Sequence, residues 1–257
     1  MVAQTKGGDP NNVLVLTAHT DSVDVGPGIN DNSSGSIGLL ETAIQLANFS
    51  VKNAIRFVWV SAEEFGLLGS TCYVSQLSPS ELGQIRLNLN FDMIASPNYV
   101  YAIYDGDGSA FGTSGPAGSA EAEKLFEDYF KDEAGLNTVP TELDGRSDYG
   151  PFLDAGIPTG GLFTGAEGIK AAEEQGLFGG EADVAYDINY PGAGDNVSNL
   201  NLDPFLENRK AIAYAVGTYG SSFDSLPPKP PSVIESRFAR GGKKIVGGEF
   251  DRYFLEE

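Results

Sequence analysis

One histidine and five carboxylates are placed where they could hold a metal cation and move a proton. His19 and Asp21, two residues apart, pair an imidazole with a carboxylate able to fix its tautomer. Asp31 lies in a Gly/Asn-rich loop, residues 26–35, whose backbone can carry a carboxylate inward. Glu63 and Glu64 set two carboxylates side by side, able to divide the work of base and ligand. Asp92 adds one more anion. A pair of divalent cations about 3.5–4 Å apart needs a bridging carboxylate, further donors on each ion and a free base for water. Each residue also has an ordinary structural use: a histidine after a strand, a solvated Glu-Glu turn, an Asp in a turn. None is diagnostic alone. Their value depends on what positions them.

The apolar run at residues 13–16 reads as a strand buried on both faces, and residues 54–60 and 85–91 read likewise. Residues 2–5, 99–104 and 156–162 are further strand candidates. Helical patterns cover residues 36–46, 69–77, 119–130 and 202–217, the last with Asn201 as its cap. Strands alternating with helices predict an α/β fold: a mostly parallel, twisted sheet flanked by helices on both faces. Ligands in such folds gather beyond the carboxyl ends of the strands. His19, Glu63, Glu64 and Asp92 each fall just beyond a predicted strand, at one edge of one sheet. That convergence lifts them above their structural uses.

Composition narrows the function further. The 257 residues carry 36 Asp plus Glu against 16 Lys plus Arg, a formal charge of −20. Such a surface repels phosphate and disfavours nucleic acid as a partner, while metal cations and the ammonium end of a peptide suit it. A single cysteine allows no intrachain disulfide. No apolar run approaches the ~18 residues of a membrane span, and the start lacks the apolar core of a signal peptide. Because the chain opens inside an apparent strand, an N-terminal segment of the domain is expected to be missing. The domain is expected to occupy residues 1–224. The Pro-rich run at 227–231 starts a linker and tail over 225–257.

Four stretches together resemble a known family: Thr17-Ala18-His19-Thr20-Asp21-Ser22-Val23, Gly26-Pro27-Gly28-Ile29-Asn30-Asp31-Asn32, Ala62-Glu63-Glu64-Phe65-Gly66-Leu67-Leu68-Gly69-Ser70 and Leu89-Asn90-Phe91-Asp92-Met93-Ile94. They are similar to the co-catalytic zinc aminopeptidases, the bacterial and fungal leucine aminopeptidase and aminopeptidase Y-like enzymes of metallopeptidase family twenty-eight. Asp144-Gly145-Arg146-Ser147-Asp148-Tyr149 and the stretch from Gly160 to Glu167 resemble that family too. The resemblance implies that Asp31 bridges two zinc ions, His19 and Asp92 complete one site, and Glu64 serves the other. It implies Glu63 as general base, Tyr190 as the hydroxyl facing the oxyanion, Arg146 and Phe163 along the substrate pocket, and Asp21 behind His19. The substrate would be a peptide with a free, apolar N-terminal residue, the protein a monomer, and the compartment extracellular or vacuolar.

One loop departs from the pattern. The family places a histidine directly after that tyrosine, often inside a Cys-bracketed loop. Here Pro191 follows Tyr190, with Asn189 and Gly194 at the bracketing positions. Proline offers no donor atom, so the expectation is one retained zinc at His19, Asp31 and Asp92 and a degraded site beside Glu64. Were Asp187 or Asp195 to reach the vacant position, a site with three carboxylates would shift preference from zinc toward harder ions such as manganese or magnesium. The alternative reading is an impaired or inactive relative that binds peptide or protein without cutting it. Asn32, Asn48 and Asn196 open glycosylation triplets, of which Asn32, beside Asp31, is the least suited to carry a glycan.

Overall fold

The computed structural model describes residues 1–228. Its strands are β1 (Val2–Gln4), β2 (Asp9–His19), β3 (Asn53–Val60), β4 (Ile85–Phe91), β5 (Ala102–Tyr104), β6 (Val139–Thr141) and β7 (Thr159–Phe163). They form one sheet in the order β1-β3-β2-β4-β7-β5-β6. Four of its six pairings are parallel; β1 on β3 and β5 on β7 run antiparallel. The expected α/β architecture, a mainly parallel sheet with helices on both faces, is therefore present.

Period-two alternation in the central strand divides the core. Leu14, Leu16 and Ala18 of β2 point to one face, against α1 (Gly35–Leu46), α4 (Ser119–Asp128) and α7 (Leu202–Ser221). Val13 and Val15 point to the other, against α2 (Leu68–Gln76), α3 (Pro79–Gln84) and α5 (Gly150–Asp154). A seventh helix, α6 (Ala172–Phe178), is short and carries no buried residue. Burial of each large aliphatic side chain stabilises the sandwich by about 1.5–3 kcal/mol. Caps fix the helix starts. The Asn201 side chain accepts from the Asp203 amide ahead of α7, as its position predicts, and Ser78 with Glu81 forms a capping box on α3.

Beyond α7, Phe223 and Leu226 are buried in the first of these cores, so packing continues past the expected boundary at 224. Of the expected tail, residues 229–257 lie outside the described residues. Among the described residues, no helix is long and apolar enough to cross a membrane.

Candidate metal and catalytic site

The carboxyl ends of β2, β3 and β4 meet at one edge of the sheet, and the polar side chains converge there. His19 is the last residue of β2, Asp92 follows β4 directly, and Glu63 and Glu64 lie in the turn after β3. His19 Nε2 is 3.1 Å from Asp31 Oδ1 and 3.3 Å from Asp92 Oδ1. One donor atom from each of these three side chains lies within 4.8 Å of the other two.

Asp31 comes from a kinked helical turn, Ile29–Ser34, held on both sides by its neighbours. The Asn30 and Asp31 amides donate to the two oxygens of Asp195, at 2.7 and 3.0 Å. Asn32 donates to the Phe91 carbonyl at 3.0 Å and accepts from Gly35 and Met93 amides. A Cβ on Gly35 would overlap that same Phe91 carbonyl, so glycine is what lets α1 approach the end of β4. The Asn-Asp-Asn run thus turns one carboxylate inward by clamping the backbone on either side of it.

Asp21 ties two segments together. Its carboxylate is 3.5 Å from His19 Nδ1 and accepts from the amides of Glu63 and Glu64 at 3.2 and 3.3 Å. Asp92 is held from the opposite side, where the Ser147 hydroxyl donates to its Oδ2 at 2.5 Å. Ala62 (φ 60°) and Met93 (φ 49°) take the left-handed backbone conformation beside Glu63 and Asp92. Such positions store local strain and concentrate at functional sites.

The electrostatics are those of an unneutralised anion cluster. Burial pushes the Asp31 carboxyl up to about 7, against the pull of His19 and with the charges of Asp92 and Glu64 adding to the rise. Burial, then the charge of Asp92, pushes Glu63 up to about 8. Glu64 is raised by burial as well. For Asp92, burial is outweighed by the His19 imidazole and the Ser147 hydroxyl, which hold it below the usual carboxylate range. For His19, burial is likewise outweighed, by Asp92, Asp21 and Asp31, and the imidazole is driven up. Glu64 Oε1 is buried without a hydrogen-bond partner, while His19 Nε2 and Asp92 Oδ1, also buried, face each other at 3.3 Å, with Asp31 Oδ1 3.1 Å from Nε2. Buried polar atoms left bare cost about 1–3 kcal/mol each. A nitrogen of His19 and carboxylate oxygens of Asp31 and Asp92, each within 4.8 Å of the other two, match the donor set of a divalent cation, so the residues present fit a metal.

Above the cluster opens a cleft of about 270 Å³. Asp31, Glu63, Glu64 and Asp92 line it, and Tyr104, Tyr149 and Phe163 give it an aromatic side. Tyr190 lines it too; burial and then the Asp31 charge hold its phenol well above the usual range. Arg146 lies at the rim, largely exposed, 3.5 Å from Glu167. Every residue expected at the site faces this cleft or supports one that does.

In the Tyr190 loop, the carboxylates Asp187 and Asp195 are both occupied by hydrogen bonds within the protein. Asp187 accepts from the side chains of Asn30 and Asn199 at 2.8 and 2.7 Å, and Asp195 spans the Asn30 and Asp31 amides. Pro191 is exposed. Sequence reasoning missed Asp195 as the clamp on Asp31, and Ser147 behind Asp92. It also missed Asp148, fully buried and pushed up to about 7 by burial. Asp148 stood in a quoted motif. Asp195 had no local signal, since its partners are over 160 positions away.

A cation-binding cluster at the carboxyl edge of a mainly parallel sheet, under an aromatic cleft, defines a metal-site α/β protein. The pattern of Peptidase family M28 matches residues 1–216, and the chain belongs to that family. It is 60% identical over 240 residues to a probable leucine aminopeptidase 2 of Aspergillus oryzae, covering 93% of this chain and 48% of that protein. It is 56% identical to the leucine aminopeptidase 2 of Trichophyton rubrum, covering 98% of this chain and 49% of that protein. The chain thus spans about half the length of the curated relatives it matches. A zinc aminopeptidase from Bacillus subtilis shares the fold at TM-score 0.67 and 24% identity, covering 88% of this chain and 52% of the other.

Proposed function

We propose that this chain is the metal-holding domain of a zinc aminopeptidase that removes apolar residues from the free N-terminus of peptides. The observation that carries this reading is the convergence of His19, Asp31 and Asp92, with one donor atom from each within 4.8 Å of the other two, at a cleft that Asp31 and Asp92 line. Zinc, when bound, supplies Lewis acidity toward water and the scissile carbonyl. His19, Asp31 and Asp92 would hold it. Relatives named leucine aminopeptidase support the substrate class, as does the aromatic side of the cleft.

The residues then divide the work. Glu63, with a carboxyl poised near neutrality, accepts the proton of the attacking water and returns it to the leaving amine. Asp21 fixes the Glu63 and Glu64 amides and so sets where that base stands. The phenol of Tyr190 stays protonated and donates to the oxygen on which negative charge develops. Carboxylates on the cleft floor favour the ammonium of a free N-terminus, which restricts cutting to the chain end. Phe163 packs the side chain being removed, and Arg146 at the rim meets the departing peptide. Pro191 supplies no ligand and the nearby carboxylates are engaged, so one tightly held ion per chain is expected, with Glu64 contributing weakly. Membership among fungal relatives supports secretion. Asn48 and Asn196 are exposed and open to glycans; Asn32 is buried and bonded, and is not.

Metal content per chain and leucyl-p-nitroanilide hydrolysis, measured with and without Pro191→His, test this reading. One tightly bound zinc with slow turnover, and a second zinc with faster turnover in the variant, are expected. Two tight zinc ions in the unmodified chain would refute the one-ion assignment. No zinc and no hydrolysis in either would refute the function itself.

A further inference from the structure

A second set of carboxylates gathers between the end of β5 and α4, separate from the sheet-edge cluster. Asp105 follows β5, Asp107 is two residues on, and Glu123 projects from α4. One carboxylate oxygen from each lies within 4.8 Å of the other two. Asp105 is 1% exposed and Glu123 is 7% exposed, while Asp107 is open to solvent. Among the described residues, no lysine, arginine or histidine forms an ion pair with any of them. Three negative charges, two of them buried, therefore converge without a countercharge.

The hydrogen bonds show which oxygens remain to be satisfied. Asp105 Oδ2 accepts from the amides of Ala110 and Phe111 at 3.1 and 2.8 Å. Glu123 Oε2 accepts from the Asp107 amide at 2.9 Å, and Asp107 Oδ1 from the Ser109 amide at 2.7 Å. Asp105 Oδ1 is buried and accepts from no N–H or O–H donor, and the neighbour its side chain faces is the Asp107 carboxyl. An ionised oxygen in that state costs more than a bare neutral acceptor, and a bound cation removes the cost. Burial raises the Glu123 carboxyl, and the charges of Asp107 and Asp105 add to the rise.

We propose that Asp105, Asp107 and Glu123 form a calcium-binding site that braces the cleft wall. All donors are oxygens, which selects a hard cation over zinc. Calcium takes oxygens at about 2.3–2.6 Å in a flexible shell that tolerates unevenly placed carboxylates, whereas magnesium demands a near-ideal octahedron. The exposed side at Asp107 leaves room for waters to complete the shell. Tyr104 and Thr141 connect the site to the cleft: both line it, and the Asp105 amide donates to the Thr141 carbonyl at 2.8 Å. The expected affinity is that of an exposed site with few carboxylates, Kd about 10⁻⁵–10⁻³ M.

The test is calorimetric titration of calcium chloride into the zinc-loaded protein, with thermal melts alongside. One calcium per chain and a midpoint raised by a few degrees at millimolar calcium are expected. Asp105→Asn and Glu123→Gln should each abolish both signals. Each variant keeps an oxygen for the backbone amides that the carboxylate serves, and circular dichroism checks that it folds. Asp92→Asn, at the sheet edge, should retain the calcium signals. Three results would overturn the proposal. The first is no calcium response at ~10 mM, at least tenfold above the expected Kd. The second is a response that survives in both variants. The third is a response lost only in Asp92→Asn, which would place calcium at the sheet edge.

Discussion

Glu63 and Glu64 are adjacent and alike, yet their surroundings divide them. Glu63 is the more strongly perturbed, with burial and Asp92 pushing it up to about 8. A general base is most effective when its pKa lies near the working pH, where its ionised form can take a proton from water and give it back. Glu63→Gln keeps shape and burial but removes the proton acceptor. Its kcat should fall about 10²–10⁴-fold, with zinc content unchanged. A variant that lost zinc along with activity would make Glu63 a ligand instead. Tyr190→Phe should cost about 10²–10³-fold in kcat and little in KM, since the hydroxyl acts on the developing charge. At this scale the convergence was legible, because the sequence put His19, the Glu pair and Asp92 at strand ends and Asp31 in a Gly/Asn-rich loop, and the structure brings them to one sheet edge. The supports were not. Ser147 and Asp195 reach their partners across 55 and over 160 residues, and nothing local announces such a contact.

At the scale of elements, β4 repays attention. Its sequence, Ile85-Arg86-Leu87-Asn88-Leu89-Asn90-Phe91, alternates apolar and polar as a strand with one wet face does. Asn88 and Asn90 are nevertheless fully buried. Asn88 donates to Thr17 of β2 at 3.1 Å, Thr17 to Asn90 at 2.8 Å, Asn90 to Ser147 at 2.9 Å, and Ser147 to Asp92 at 2.5 Å. A line of hydrogen bonds therefore runs under the sheet and ends on a candidate ligand. The strand itself was predictable from pattern; the use of its polar side was not, because alternation records polarity and not burial. Thr17→Val is nearly isosteric and cuts the line at its second member. We expect a loss of about 2–6 kcal/mol from the two stranded amides, about 1–3 kcal/mol each. Melts should show a midpoint lower by roughly 2–4 °C per kcal/mol. If the line positions Asp92, zinc affinity should fall as well. Unchanged stability would mean that water or local rearrangement satisfies those amides.

Across the whole molecule, a charge of −20 and a cluster of raised carboxyls make stability depend jointly on pH and metal. Asp31 and Glu63 have folded-state values of about 7 and about 8, above ordinary values of 3.8 and 4.5. Groups raised in this way contribute stability that is full below their ordinary values and lost as pH rises through the folded ones. The metal-free protein should therefore lose stability between about pH 4.5 and about pH 8, as these carboxyls ionise beside one another. Asp21 and Asp92 are shifted down, and their contribution has the opposite sign, disappearing only in acid. A bound cation needs the same carboxylates ionised, so its binding displaces their protons and strengthens as pH rises. The gap in melting midpoint between zinc-loaded and chelator-treated protein should widen steadily from about pH 5.5 to about pH 8.5. Asp92→Asn, which weakens the site, should flatten that widening. A gap that stayed constant with pH would mean that Asp31 and Glu63 are already ionised without metal, and that charges elsewhere compensate the cluster.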